Sequence, residues 1–261
     1  MPTYSSPVAG LLNRVECNFG EIWPNYVEEV GLRPEDVPEL IRMVGDAQLY
    51  EEGNDNEYWA TIHARRALGQ LRAVEAVGPL LTAMDRFSEL DDYWLEELPA
   101  VLALIGPPAI PAIGDHLLSR RPDEYTRIAA ASALAKIGNA FPESRGECVD
   151  YLTRQLAQKE DDEDSWSLNG FVAWDLVKLK AVESATVIEE AFAADVVDES
   201  IAGGWPSLRY ELGLGPEPKG ETIRPQWRLV LDRPPKRPNL DKLRKKKNAA
   251  KKARKRGRTS R

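Results

Sequence analysis

The chain has 261 residues, 43% of them hydrophobic and 30% charged, with a formal net charge of −7 and only two cysteines, Cys17 and Cys148. That apolar content can bury a sizeable core in one elongated or two compact domains, while two cysteines so far apart argue against a disulfide framework or a zinc site. No apolar run reaches the ~20 residues of a membrane-crossing helix. The opening stretch, MPTYSSPVAGLLNRVE, also lacks a basic region followed by an apolar one, so a cytoplasmic protein without a membrane partner is expected.

Residues 1–56 read as an N-terminal helical cap. Leu11, Leu12 and Val15 predict a short helix, Trp23-Pro24 a turn, and Pro34-Glu35-Asp36 an N1 proline with early acids for a helix through Leu40 and Met43. Such a cap would cover a face that a first repeat otherwise exposes. The polar run EEGNDNE, residues 51–57, predicts a loop leading onward.

Residues 57–212 carry an internal repeat, clearest in residues 123–156. Asp123 is a candidate helix cap, Ala129 to Ala135 is rich in the best helix former, and Gly138 stands where a left-handed C-terminal residue is wanted. Pro142 then interrupts, and Cys148, Leu152 and Leu156 recur every four residues on one face of a second helix. The pair Leu134/Ile137 has counterparts in Leu68/Leu71, Leu102/Ile105 and Leu176/Leu179, spaced 34, 32 and 42 residues apart. Ala64, Leu98, Ala130 and Val172 precede the anchors by four. Ala67, Val101 and Ala133 precede them by one, where the fourth repeat has Asp175. Val74/Val77, Ile110/Ile113 and Val182/Ala185 match in the second helices, and the acidic insertion 160–164 fills the longest interval.

The runs ARRALGQLRAVEAVGPLL, AVLALIGPPAIPAI and AAASALAKIG resemble the short bacterial HEAT repeats also called phycobilisome-lyase-like. The resemblance covers residues 58–192, and Pro99 fits it, since first helices of such repeats are often kinked by a proline. It implies an all-α fold, an α-solenoid of about four HEAT-like helical hairpins, to which the residues themselves add the N-terminal helical cap and, by its charge and lack of an apolar face, a disordered basic C-terminal tail. The layout is also similar to that of a bacterial group in which some members end in a cysteine-rich zinc motif; this chain lacks that motif.

Residues 195–212 offer Ile201, Trp205, Leu208 and Leu212 for a closing element. Residues 213–240 form a Pro/Gly-rich connector, interrupted by Trp227, Leu229, Val230 and Leu231, an apolar patch expected to strap back onto the helices. Residues 241–261 are a polybasic tail. Residues 242–261 hold twelve Lys or Arg and no acid, so they carry +12 and, with the overall −7, leave −19 on residues 1–241.

Two candidate surfaces follow. In the tail, Lys242, Arg244, Lys245, Lys246, Lys247, Lys251, Lys252, Arg254, Lys255 and Arg256 suit RNA or another polyanion, bound through counterion release with little sequence preference. In the repeats, Trp59, Tyr93 and Tyr125 lie nine residues before their anchors, about half a helical turn from the core face, and Trp166 stands one position earlier in its own repeat. With acids such as Asp91 and Asp92, they predict an aromatic, acidic ridge for a basic peptide or protein. The other reading is that the rings pack between repeats and the acids cap helices.

His63 and His116 have no partner that spacing supplies, and the phosphate-loop, HExxH and nucleophile-elbow patterns are absent. No catalytic residue, metal or cofactor is expected. The composite expectation is a non-enzymatic binding or scaffold protein that presents its helical surface to a protein or peptide. The alternative that the resemblance implies is a maturation factor similar to the bilin lyases, holding a tetrapyrrole or client protein.

Overall fold

The computed structural model describes residues 3–14, 16–17, 22–51, 55–159 and 165–218. The polybasic tail, the connector beyond residue 218, the insertion 160–164 and Val15 lie outside the described residues. The described residues are all-α, with no strand.

The N-terminal part contributes a 3₁₀ turn at Val8–Asn13 and three short helices, α1 (Tyr26–Glu29), α2 (Val37–Val44) and α3 (Ala47–Glu51). The proline and acids of the Pro34–Asp36 turn start α2 as expected, and Leu40 and Met43 are fully buried. The loop expected over residues 51–57 is helical from Asp55 onward, where α4 (Asp55–Gln70) begins; residues 52–54 lie outside the described residues.

The helices that follow are α5 (Val77–Phe87), α6 (Tyr93–Ile105), α7 (Ile110–Leu118), α8 (Glu124–Ala140), α9 (Arg145–Ala157), α10 (Ser165–Lys178) and α11 (Ala185–Ala193). Two short helices, α12 (Glu199–Ala202) and α13 (Trp205–Glu211), close the described chain. The even-numbered helices α4, α6, α8 and α10 pack side by side in chain order, and α5, α7, α9 and α11 form a second row against them. The 3₁₀ turn, α1 and α2 cover α4 at one end; α12 and α13 cover α10 and α11 at the other.

The repeat register puts the anchors inside. Leu68, Leu102, Leu134 and Leu176 are at most 1% exposed, and Ala64, Leu98, Ala130 and Val172 are buried beside them. Each odd helix from α5 to α11 is entered through its own 3₁₀ turn, at Val74–Ala76, Pro107–Ala109, Pro142–Ser144 and Val182–Ser184. Asp123 caps α8 as expected, its carboxylate accepting from the Tyr125 backbone N–H at 2.9 Å.

Gly138 corrects an expectation. The residue four beyond the anchor has positive φ in the other three repeats (Arg72, Gly106, Lys180), and the Ala73 and Ala181 N–H groups return to Leu68 and Leu176 in the bonding of a Schellman cap. At Gly138 the helix instead runs on to Ala140. The glycine leaves room for a neighbour: a Cβ there would lie 2.8 Å from Leu179 Cδ2, so a larger residue would push that leucine's tip aside.

Candidate functional site

Helix α4 carries a buried polar face toward the N-terminal segment and α6. Arg66 grips Glu97 with two guanidinium N–H groups, one bond being 2.8 Å from Nε to Oε2, and its guanidinium also lies 5.1 Å from the Trp23 ring centre. One turn on, Gln70 donates to the Pro24 carbonyl at 2.8 Å and accepts from the Tyr26 N–H at 2.9 Å. Arg65 donates to Asp91 at 2.8 Å beneath the Trp94 ring, and the other Asp91 oxygen accepts from the Tyr93 N–H, capping α6. These groups are almost wholly withdrawn from water, so each ion pair is obligatory: removing one partner would strand a buried charge.

His63 and Cys17, which spacing left without partners, meet in this cluster. Tyr26 Oη and His63 Nδ1 are 2.7 Å apart, Cys17 Sγ is 3.5 Å from each imidazole nitrogen, and Tyr93 Oη donates to the Cys17 carbonyl at 3.0 Å. Burial pushes the Cys17 thiol up to about 12, the opposite of the lowered value that a reactive thiolate needs. Cys148 is likewise pushed up to about 11 by burial. No group of three or more His, Cys, Asp or Glu that could hold a metal occurs among the described residues. His116 faces Asp85 on α5 at 3.5 Å, and burial lowers its pKa.

The polar clamp fixes Trp23 as the wall of an open apolar groove. The groove, of about 530 Å³, is lined by Trp23, by Ala100, Ala103 and Leu104 of α6, and by Lys136 and Ala140 of α8. Leu104 is 42% exposed there. Apolar side chains on the outer side of α6 leave that helix apolar nearly all round, a pattern of helices covered on every side. This was the sequence signal for the groove; what could not be read was that Trp23 folds over to form its wall.

The expected aromatic ridge divides in two. Trp59 and Tyr93 are buried, 2% and 3% exposed, and pack edge to face at 5.7 Å with Cys17 and Ile62. Tyr125 and Trp166 are exposed, at 61% and 41%. The N-terminal segment packs over the first two rings, and no described segment covers the equivalent part of α8 or α10 in the same way. Asp91 is buried as the cap and ion-pair partner of Arg65, whereas Asp92 is exposed. Of the ridge residues, Tyr125, Trp166 and Asp92 therefore face solvent; Trp59, Tyr93 and Asp91 belong to the interior.

The fold and this site define an all-helical protein in which a buried ionic clamp supports an apolar surface groove. The chain belongs to the family described as protein of unknown function (DUF1186), which matches residues 7–203 and so spans both the clamp and the groove. No curated protein and no solved structure matches the chain. No single described helix is long and apolar enough to cross a membrane.

Proposed function

We propose that this chain is a non-enzymatic binding protein: a HEAT-like α-solenoid that takes an apolar segment of a protein partner in the groove beside Trp23 and reaches RNA or another polyanion with its basic tail. The observation that carries the reading is the groove itself. It combines an apolar floor, a half-exposed leucine and a tryptophan held from behind by Arg66, the mix of rigid aromatic anchor and apolar contact on which protein interfaces depend. The two-row helix packing and the four matched 3₁₀ turns support the solenoid assignment. The HEAT resemblance of the repeats points the same way.

The charge distribution supports the second contact. With +12 on residues 242–261, affinity for a polyanion should fall steeply with salt, while groove binding should not. The test compares the full chain, a chain ending at Asn239 and Leu104→Glu, each used to capture RNA and protein from lysate at low and moderate salt. RNA captured only by chains with the tail, and lost with salt, is expected. So are proteins captured by both full-length and Asn239-terminated chains but not by Leu104→Glu. Capture of the same proteins by Leu104→Glu would remove the groove from the reading, and salt-insensitive RNA capture without the tail would remove the polyanion role.

A further inference from the structure

We infer that the groove's resting occupant is the chain's own apolar segment 227–231, Trp-Arg-Leu-Val-Leu, which an outside partner must displace; this regulatory consequence rests on the binding reading above. Three observations converge on that segment.

The first is where the described chain ends. Lys180, just beyond α10, donates to the Glu211 carbonyl at the end of α13 at 2.9 Å. Its neighbour Leu179 abuts Gly138, which lies on α8 between the groove residues Lys136 and Ala140. The chain thus leaves α13 beside the C-terminal end of α10, and the groove residues Leu104 and Ala140 lie at the C-terminal ends of α6 and α8. Trp227 follows Pro218 by nine residues, a stretch that spans up to about 30 Å when extended. Packed helices lie roughly 8–10 Å apart, so the groove between α8 and α6 is within reach.

The second is chemical fit. Residues 219–240 hold four prolines, six Lys or Arg and two acids, and 227–231 is the one stretch there with four apolar residues in five. The groove is apolar with one charged group among its lining residues, Lys136. Asp232 directly follows Leu231, so the run ends on a charge opposite to that of the lysine. An indole and three aliphatic side chains seated on Leu104, Ala100, Ala103 and Ala140 would withdraw apolar surface from water on both sides.

The third is charge complementarity. Residues 1–218 contain 17 Lys or Arg against 39 Asp or Glu, and residues 219–240 contain six against two, so the body attracts the connector before any specific contact forms. The polybasic tail, tethered just beyond, strengthens that attraction and makes it sensitive to salt.

Trypsin provides the test, because it does not cut before proline. Arg224, Arg233 and Arg237 each precede a proline, which leaves Arg228 as the cleavable site between Gly220 and Pro235. In the full chain, cleavage after Arg228 should be at least about ten-fold slower than cleavage among Lys245, Lys246 and Lys247, the ratio that roughly 1.4 kcal/mol of docking produces. Leu104→Glu should bring the two rates together. Val182→Glu, at an exposed valine on the other helix row, should leave the protection intact.

Equal cleavage rates in the unmodified chain would overturn the proposal. So would protection that survives Leu104→Glu, or that is lost equally in Val182→Glu. Should Leu104→Glu unfold, Trp227→Ser, which alters no described helix, must itself raise cleavage after Arg228 to the tail rate. Unprotected Arg228 alongside partner capture that depends on Leu104 would sink only the intramolecular occupant; capture that Leu104→Glu leaves unchanged would sink the binding reading.

Discussion

Replacing Gly114 by alanine, normally a stabilising change in a helix, should destabilise this protein. A Cβ on Gly114 in α7 would lie 2.3 Å from both Cδ1 and Cε1 of Tyr151 on α9, and 2.6 Å from its Cγ. Cγ is the root of the ring, so rotating the ring about its own axis does not clear the contact. Either the two helices separate by about an ångström or Tyr151 leaves its rotamer and gives up its packing. Overpacking of this kind costs about 1–3 kcal/mol, set against the 0.5–1 kcal/mol that alanine gains over glycine in a helix. The net expectation is a loss of roughly 1–2 kcal/mol. Gly78 in α5 and Gly146 in α9 provide the internal control, since a Cβ at either meets nothing within 4 Å. Gly78→Ala and Gly146→Ala should each stabilise by about 0.5–1 kcal/mol. Urea unfolding of the three variants, with the slope checked for constancy, measures the difference. A Gly114→Ala variant as stable as Gly78→Ala would refute the close approach of α7 and α9.

Three further outcomes test the interior. Arg66→Ala leaves Glu97 buried without its bidentate partner and Trp23 without support, so urea unfolding should show a loss of about 3–5 kcal/mol; a change below about 1 kcal/mol would show that the clamp is not buried as described. Asp175 occupies the register of Ala67, Val101 and Ala133, fully buried, with one oxygen held by Lys178 at 2.8 Å and the other without a hydrogen-bond partner. Burial raises its pKa above the unfolded value of 3.8 despite the nearby lysines, so its ionisation costs stability as the pH rises from about 4 through the raised folded value. Asp175→Ala should therefore be more stable than the parent by about 1 kcal/mol at pH 7, with the gap closing toward pH 4; a gap that widens on acidification would contradict the assignment. Finally, Cys17 and Cys148, with thiols pushed up to about 12 and about 11, should resist a thiol reagent at pH 8 in the native protein and react promptly in denaturant. Native labelling of either at the rate of an unfolded cysteine would place it outside the core.

The helical rows were legible in the amino-acid order because they rest on local chemistry. Leucine and alanine at intervals of three and four define a buried helix face wherever they occur, and Asp123 and Pro142 set a start and an interruption through bonds to their own neighbours. Gly138 was misread as a helix terminator because glycine serves two ends: it permits positive φ, and it admits a neighbouring helix. Which of the two applies depends on Leu179, 41 residues away. The same limit governed the site. Trp59, Tyr93, Tyr125 and Trp166 hold nearly the same place in their repeats, and only the N-terminal segment folding across α4 and α6 buries the first two. Cys17, Tyr26 and His63 are separated by up to 46 residues and have no periodic relation, so their meeting, the Arg66–Glu97 clamp and the groove wall at Trp23 arise where two distant segments pack. The sequence alone determined the all-helical class, the buried anchors and the opposed charges of body and tail, because each depends on composition or on spacing within one helix. Tertiary structure decided which aromatics face water and where the groove opens, because both depend on what packs across a helix rather than along it.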